Sequence, residues 1–273
     1  FLYRLRLLFF HLKRITFGLL CCFLLPCGAC AAAVQMHAVP AAAATALRSA
    51  LPTLQTVEND AELQLVWQAQ HYQQLSAKLN TPAIVLMAYP GQVQLRPQDM
   101  ALYWSPTLAQ QLTLAQVLNP GLKRVGVVLT SATLSLLPEL AQKAKAQGIV
   151  VESLVINGEI NSRLLAQFMQ SVDVLLAAPD EQLFSPLNAK LLLLPSYRLN
   201  RPWVGPNAAF VQAGAVATQQ VSRAALIQAI STAISHWQQH KKLPASRVLA
   251  ADEVVVNAPV LRSLGLRQPR LKP

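Results

Sequence analysis

Cysteine is absent after position 30: all four, Cys21, Cys22, Cys27 and Cys30, lie within the first thirty residues. The rest of the chain can therefore form no disulfide and no thiolate metal site. Acidic residues are scarce as well, 12 against 23 Lys and Arg, which leaves a net charge of +11. They are dispersed, with Glu58 and Asp60 in a turn and Asp252–Glu253 leading into a strand, and neither pair has the spacing of paired acid–base work. No G-x-G-x-x-G, G-K-[ST], H-E-x-x-H or G-x-S-x-G occurs. The chain is accordingly expected not to be an enzyme and to need no cofactor. There is no internal repeat and no low-complexity linker.

The basic excess does not point to nucleic acid. Lys123-Arg124, Lys143, Lys145, Lys241-Lys242, Arg262, Arg267 and Arg270 are scattered, without the clustering or aromatic interleaving of a nucleic-acid surface. His236 and His240 are four apart and could face one metal. No carboxylate neighbours them, and Gln238, Gln239 and Lys241 make that end polar, so a solvated face is expected there and no metal.

What is present at the N-terminus has the pattern of an export signal. Arg4, Arg6, Lys13 and Arg14 form a positive region, Ile15 to Leu25 an apolar run, and Ala31-Ala32-Ala33 a small-residue cleavage site with Val34 as the first mature residue. The run is shorter than the ~20 apolar residues of a membrane span, and Pro26 and Gly28 follow it. Removing these 33 residues takes four basic groups and leaves +7. The same segment raises the mean hydropathy to +0.34. Cys27-Gly28-Ala29-Cys30 matches C-x-x-C, but no strand–helix unit presents it as a redox pair. A lipid anchor on Cys30 is the lesser alternative. The expected location is the periplasm, after cleavage of the signal peptide.

From Val34 onward, short apolar runs alternate with amphipathic segments, and 273 residues allow one or two domains. Strands are expected at 34–39, 54–57, 63–66, 83–87, 100–103, 124–129, 150–155, 172–177, 202–204, 215–217 and 253–257. Continuous runs such as Val125 to Leu129 suit strands covered on both faces. Helices are expected at 42–50, 70–79, 108–118, 135–146, 162–170, 186–194 and 222–240, with stops at Leu51-Pro52, Asn119-Pro120-Gly121 and Gln147-Gly148. This rhythm predicts an α/β protein of two doubly wound, parallel-sheet lobes with a cleft between them. The strands divide at Asn119-Pro120-Gly121, about five to each sheet.

Four stretches then resemble a known family. They are Leu118–Leu129 (LNPGLKRVGVVL), Ser196–Gly205 (SYRLNRPWVG), Ala208–Ala217 (AAFVQAGAVA) and Val254–Leu266 (VVVNAPVLRSLGL). Their order and spacing resemble the ABC-transporter substrate-binding proteins of the type I periplasmic-binding fold, the group that includes tryptophan- and tyrosine-binding lipoproteins. The resemblance covers about residues 62–266. It departs from the family after the strand at 83–87, where a glycine-rich region gives way to the much shorter Ala88–Met100.

The resemblance implies a first lobe at 34–119 plus 219–273 and a second at 120–218. It implies capture of a small solute between them, for delivery to an ABC permease at the inner membrane. The alternative is a relative without a permease that presents its ligand to a sensor protein. The positions matching the family's ligand cleft are Trp67, Gln68, Tyr89, Tyr103, Trp104 and Ser105 in the first lobe. In the second lobe they are Thr130, Ser131, Asp180 and Asn207. Four aromatics at strand ends favour an aromatic or amine-bearing solute. Asp180 is either a partner for a ligand amine or the cap of the following helix.

Overall fold

The structure is a computed structural model that describes residues 32–269. The positive and apolar parts of the export signal, its Cys27–Cys30 pair and the anchor position Cys30 lie outside the described residues.

Two six-stranded sheets form the scaffold. The first is assembled from β1 (Ala32–His37), β2 (Leu54–Thr56), β3 (Leu63–Trp67), β4 (Ala83–Met87), β5 (Met100–Tyr103) and β11 (Arg247–Val248). Its spatial order is β11-β5-β4-β3-β1-β2, and every pairing is parallel. The second contains β6 (Arg124–Leu129), β7 (Val150–Val155), β8 (Val174–Ala177), β9 (Trp203–Val204), β10 (Ala217–Gln220) and β12 (Glu253–Val256). Its order is β12-β10-β9-β8-β6-β7, with β12 alone antiparallel.

Burial follows position in the sheet. All five residues of β4 are buried, whereas β7, at an edge, is mostly half-buried or exposed. A central parallel strand is covered on both faces and so must be apolar throughout. In the first lobe, α1 (Ala41–Ala50) and α8 (Arg223–His240) cover one face, where Leu47, Ile230, Ile234 and Trp237 meet the sheet. The short α2 (Ala69–Leu75) covers the other with Tyr72. In the second lobe, α3 (Leu108–Leu118), α4 (Leu137–Ala146) and α9 (Ala258–Ser263) cover one face. The opposite face carries α5 (Ser162–Gln170), α6 (Pro186–Leu199) and α7 (Ala208–Ala213). Gly126 allows a close approach on this face, because a Cβ there would lie 2.9 Å from Val172 and 3.0 Å from Phe168.

The lobe boundaries differ from those expected. Helix α3 belongs to the second lobe: Leu108, Leu112, Leu114, Ala115 and Leu118 join its core. Buried Gln111 satisfies both backbone groups of Ala177, donating to its carbonyl at 2.8 Å and accepting from its N–H at 3.2 Å. The C-terminal strand β12 also crosses to this lobe, pairing Val256 with Ala217, and Leu261 of α9 follows it into the core. The first lobe is therefore 32–106 with 223–249. Three chain segments cross between lobes, at 104–107, 220–222 and 249–252.

Strand β1 bears on the expected cleavage site. Ala32 is buried and pairs with Leu54, and the Ala33 carbonyl accepts from Glu62 N–H at 2.9 Å. Cleavage after Ala33 would remove both residues from the sheet.

Candidate functional site

Parallel strands of both sheets point their carboxyl ends toward the gap between lobes, and the loops after them form its walls. Beyond β4 the chain bends at Ala88 and Tyr89, and Ala88 N–H donates to Gln92 Oε1 at 3.0 Å. Beyond β5, Trp104 N–H donates to Met87 C=O at 3.0 Å and Ser105 N–H to Ala88 C=O at 3.2 Å. These two bonds lock the Tyr89 and Trp104 segments side by side.

Beyond β3, Gln68 donates its N–H to Leu86 C=O at 3.1 Å but has φ 77° and ψ 142°. That backbone region is costly for a side-chain-bearing residue, about 1–3 kcal/mol, and persists only where the surroundings enforce it. The turn holds Gln68 on the wall of the gap, directly before α2.

On the opposite wall, Pro179 and Asp180 follow β8. Asp180 Oδ1 accepts from Gln182 N–H at 3.0 Å and Leu183 N–H at 2.9 Å, which caps the turn that follows. Its Oδ2 accepts from Thr130 Oγ1 at 2.6 Å. Behind this turn, Phe184, Trp203 and Phe210 pack edge to face with centroids 5.4–6.0 Å apart. That is a rigid arrangement of aromatic rings, and it backs the Asp180 turn. Asn207 caps α7, accepting from Phe210 N–H at 2.9 Å.

The walls enclose a divided cleft. One compartment of about 420 Å³ is lined by Gln68, Gln73, Gln92, Trp104, Asp180 and Glu181, among others. A second, also about 420 Å³, is lined by Tyr103, Ser105, Pro106, Leu136, Glu139 and Val248, among others. Ala88, Tyr89 and Pro179 border both, so Tyr89 of the first lobe and Pro179 of the second partition the cleft. A small recess of about 30 Å³ joins Trp104 and Ser105 to Asp180, Pro206 and Asn207. Burial pushes the Tyr89 hydroxyl above its usual range, and the negative charge of Asp180 across the cleft adds to this. Burial raises Tyr103 likewise, opposed by a hydrogen bond with Ser246.

Seven of the ten expected positions line these three cavities: Gln68, Tyr89, Tyr103, Trp104, Ser105, Asp180 and Asn207. Trp67, Thr130 and Ser131 line none of them. Trp67 lies within β3 opposite Leu86 and packs half-buried against the first-lobe core. Thr130 turns its hydroxyl to Asp180. Ser131 is tied to Asn157 by its N–H at 3.0 Å and its hydroxyl at 2.8 Å. The sequence reading missed Gln73, Gln92 and Glu181, which lie one or more positions beyond the strand ends. Only the run of polar residues after each strand could have pointed to them. His236 and His240 stack at 4.3 Å, yet Nδ1 of each engages a backbone carbonyl. Among the described residues no cluster of three metal-ligating side chains occurs, and no helix is long and apolar enough to cross a membrane.

No protein-family model matches the chain, and no curated protein sequence matches it. Solved structures do. A substrate-binding protein with adhesive properties from Clostridium difficile, in its ligand-free, open structure, is similar with a TM-score of 0.64 and 17% identity, over 87% of this chain and 95% of that one. An ABC domain in complex with L-Trp from Streptococcus pneumonia is similar at 0.61 and 15%, with the same two coverages. A xylose-binding transcription activator is similar at 0.53 and 14%, over 82% of this chain and 68% of that one. The fold is the type I periplasmic-binding arrangement. It is shared by transport-associated binding proteins and by transcription regulators.

Proposed function

We propose that this chain is an exported solute-binding protein that captures a small molecule between its lobes and delivers it to an ABC permease or a sensor at the inner membrane. The observation that carries the reading is the composition of the cleft. Gln68, Tyr89 and Trp104 of the first lobe and Asp180, Glu181 and Asn207 of the second line cavities common to both lobes. A solute that touches both walls binds the closed form more strongly than the open one. It thereby shifts the population toward closure, which is the form a partner recognises. Three crossing segments supply the hinge.

Export is inferred from residues 1–33, with processing upstream of Ala32 so that β1 stays whole. The N-terminal mass of protein from the periplasm tests this. A chain beginning at Val34 would contradict the buried pairing of Ala32, and a diacylglycerol on Cys30 would make the protein membrane-anchored.

Tryptophan fluorescence tests the binding reading, because Trp104 is the tryptophan that lines the described cavities. Trp203 and Trp237 sit in the lobe cores, and Trp67 packs against one. A bound solute should raise the melting temperature with the logarithm of its concentration above Kd and change the emission of the wild type. Trp104→Phe should keep the thermal shift and lose the emission change. Trp104→Ala should weaken binding by a stacking contribution of about 0.5–1.5 kcal/mol. Equal affinity in wild type and Trp104→Ala would remove the cleft from the argument.

A further inference from the structure

From the charges and the occupied donors of the cleft we infer that its solute is a cation without a carboxylate: an alkylamine, diamine or quaternary ammonium compound rather than an amino acid. The inference rests on the solute-binding reading and names the chemistry of that site.

The first observation is charge. The chain carries 23 Lys and Arg against 12 Asp and Glu, yet no Lys, Arg or His lines any of the three cleft cavities. Asp180, Glu181 and Glu139 do. The ion pairs among the described residues are Arg96–Asp99, Arg124–Glu152 and Lys241–Glu62, so none neutralises Asp180 or Glu181. A partly enclosed cavity with two uncompensated carboxylates holds a negative potential that concentrates cations.

The second observation is the state of the hydrogen-bond donors. A carboxylate in such a cleft is held by N–H groups at helix and turn starts, or by hydroxyls after strands. Here the protein already engages several of them itself. Asp180 Oδ1 takes the N–H groups of Gln182 and Leu183. Asn207 Oδ1 takes that of Phe210. The Thr130 hydroxyl donates to Asp180, and Ser131 donates its N–H to Asn157 Oδ1 while its hydroxyl accepts from Asn157 Nδ2. The Thr130 hydroxyl and the N–H groups of Gln182 and Leu183 are thus engaged by the protein's own carboxylate, and that of Phe210 by Asn207. A solute carboxylate approaching these donors would meet the Asp180 carboxylate already on them.

The third observation is what remains. Trp104 and Tyr89 supply aromatic faces, which attract cations through their negative centres. Gln68, Gln73 and Gln92 line the same compartment, and their amide oxygens can accept from ammonium protons. An uncompensated carboxylate pair, aromatic faces and neutral acceptors together match an amine.

Matched pairs differing by one carboxylate provide the test, with melting temperature and calorimetric Kd as readouts. The probes are tryptamine with tryptophan, putrescine with ornithine, and choline with betaine, with ribose as a neutral control. In a pair that binds, the amine should bind at least about tenfold more tightly than its acid. Its affinity should fall as salt is raised, because part of the attraction is screened. Glu181→Gln, at an exposed position, should fold normally and weaken amine binding by roughly threefold to tenfold. If the acid of a pair binds more tightly, or ribose binds while the amines do not, this inference is wrong and the solute-binding reading stands. An amine affinity indifferent to both salt and Glu181→Gln also overturns it. If nothing in the set binds, both the inference and the solute-binding reading fail.

Discussion

Ser222 donates to Asp252 twice, from its backbone N–H to Oδ1 at 2.6 Å and from its hydroxyl to Oδ2 at 2.7 Å. The two residues sit on different crossing segments, so this one carboxylate clasps two of the three strands of chain that join the lobes. Asp252 N–H also donates to Gln220 C=O at 3.1 Å. Ser222 Oγ in turn accepts from Ala225 N–H at 3.1 Å, capping α8. The clasp therefore couples the hinge to the longest helix of the first lobe.

The clasp has a pH signature. The backbone N–H of Ser222, and then its hydroxyl, hold the Asp252 carboxyl below its usual range. A group with a depressed folded-state pKa stabilises the fold above its unfolded pKa, and the contribution is lost as pH falls through the folded value. Melting temperature should therefore decline below the ordinary carboxylate range less steeply in Asp252→Asn than in wild type. Ser222→Ala should cost about 0.5–2 kcal/mol at neutral pH through the lost cap. Parallel pH profiles of wild type and Asp252→Asn would show that the clasp is not formed in solution.

A second prediction concerns the loop that carries Tyr89 and Gln92 into the cleft. Asp99 ends it as a fully buried carboxylate. Asp99 accepts from Tyr72 Oη at 2.6 Å, from Ala83 N–H at 2.9 Å and from Arg96 at 2.7 and 2.8 Å. Arg96 also donates to the carbonyls of Leu79 and Thr81. Asp99→Ala leaves that guanidinium without its charge partner and should cost about 3–5 kcal/mol, read from urea denaturation. Tyr72→Phe, which removes a donor to Asp99 and the acceptor of Arg96 N–H, should cost less, about 1.5–3 kcal/mol. Similar small losses in both variants would place the weight of the loop elsewhere.

Gly214 offers a sharper steric test. Its φ is 134°, and a Cβ there would lie 2.8 Å from Tyr197 Oη. That hydroxyl donates to the Gly214 carbonyl at 2.9 Å. Gly214→Val should be destabilising by roughly 1–3 kcal/mol from backbone strain alone. Combining it with Tyr197→Phe should recover little, because φ rather than the hydroxyl sets the cost. Full recovery in the double variant would assign the cost to the contact instead.

Short runs rich in apolar β-branched or aliphatic residues were legible to the residue: 83–87, 100–103, 124–129 and 150–155 match β4 to β7. Strand β11 was not, since two exposed residues, Arg247 and Val248, carry no pattern. Which lobe α3 joins was also hidden. Its buried positions surround the helix almost completely, so periodicity gave no direction, and the deciding contact is Gln111 with Ala177, 66 residues away. At the candidate site, strand ends lead to the cleft walls, but a side chain's face depends on where the pleat stops. Trp67 is still inside its strand and turns to the core. Trp104, one residue past its strand, packs against the rim of the same core and also reaches the cleft. Thr130 illustrates a different limit, because its partner Asp180 is 50 residues distant.

Gln68 is where stability and binding should pull against each other. Its φ of 77° at ψ 142° belongs to a region that glycine tolerates and other residues do not, while the residue lines the compartment that also holds Trp104 and Asp180. Gln68→Gly relieves the strain, at the cost of some added flexibility in the unfolded chain, and removes the amide from the cleft. The ligand-free variant should melt at or above the wild-type temperature, yet show a smaller ligand-induced shift. Gln68→Ala keeps the strain and also lacks the amide. It should therefore melt below Gln68→Gly while losing binding to the same extent. Thermal melts of the three proteins with and without solute separate the two effects. If Gln68→Ala melts as high as Gln68→Gly, the backbone there is not strained in solution. If Gln68→Gly binds as well as wild type, the strain does not serve the site.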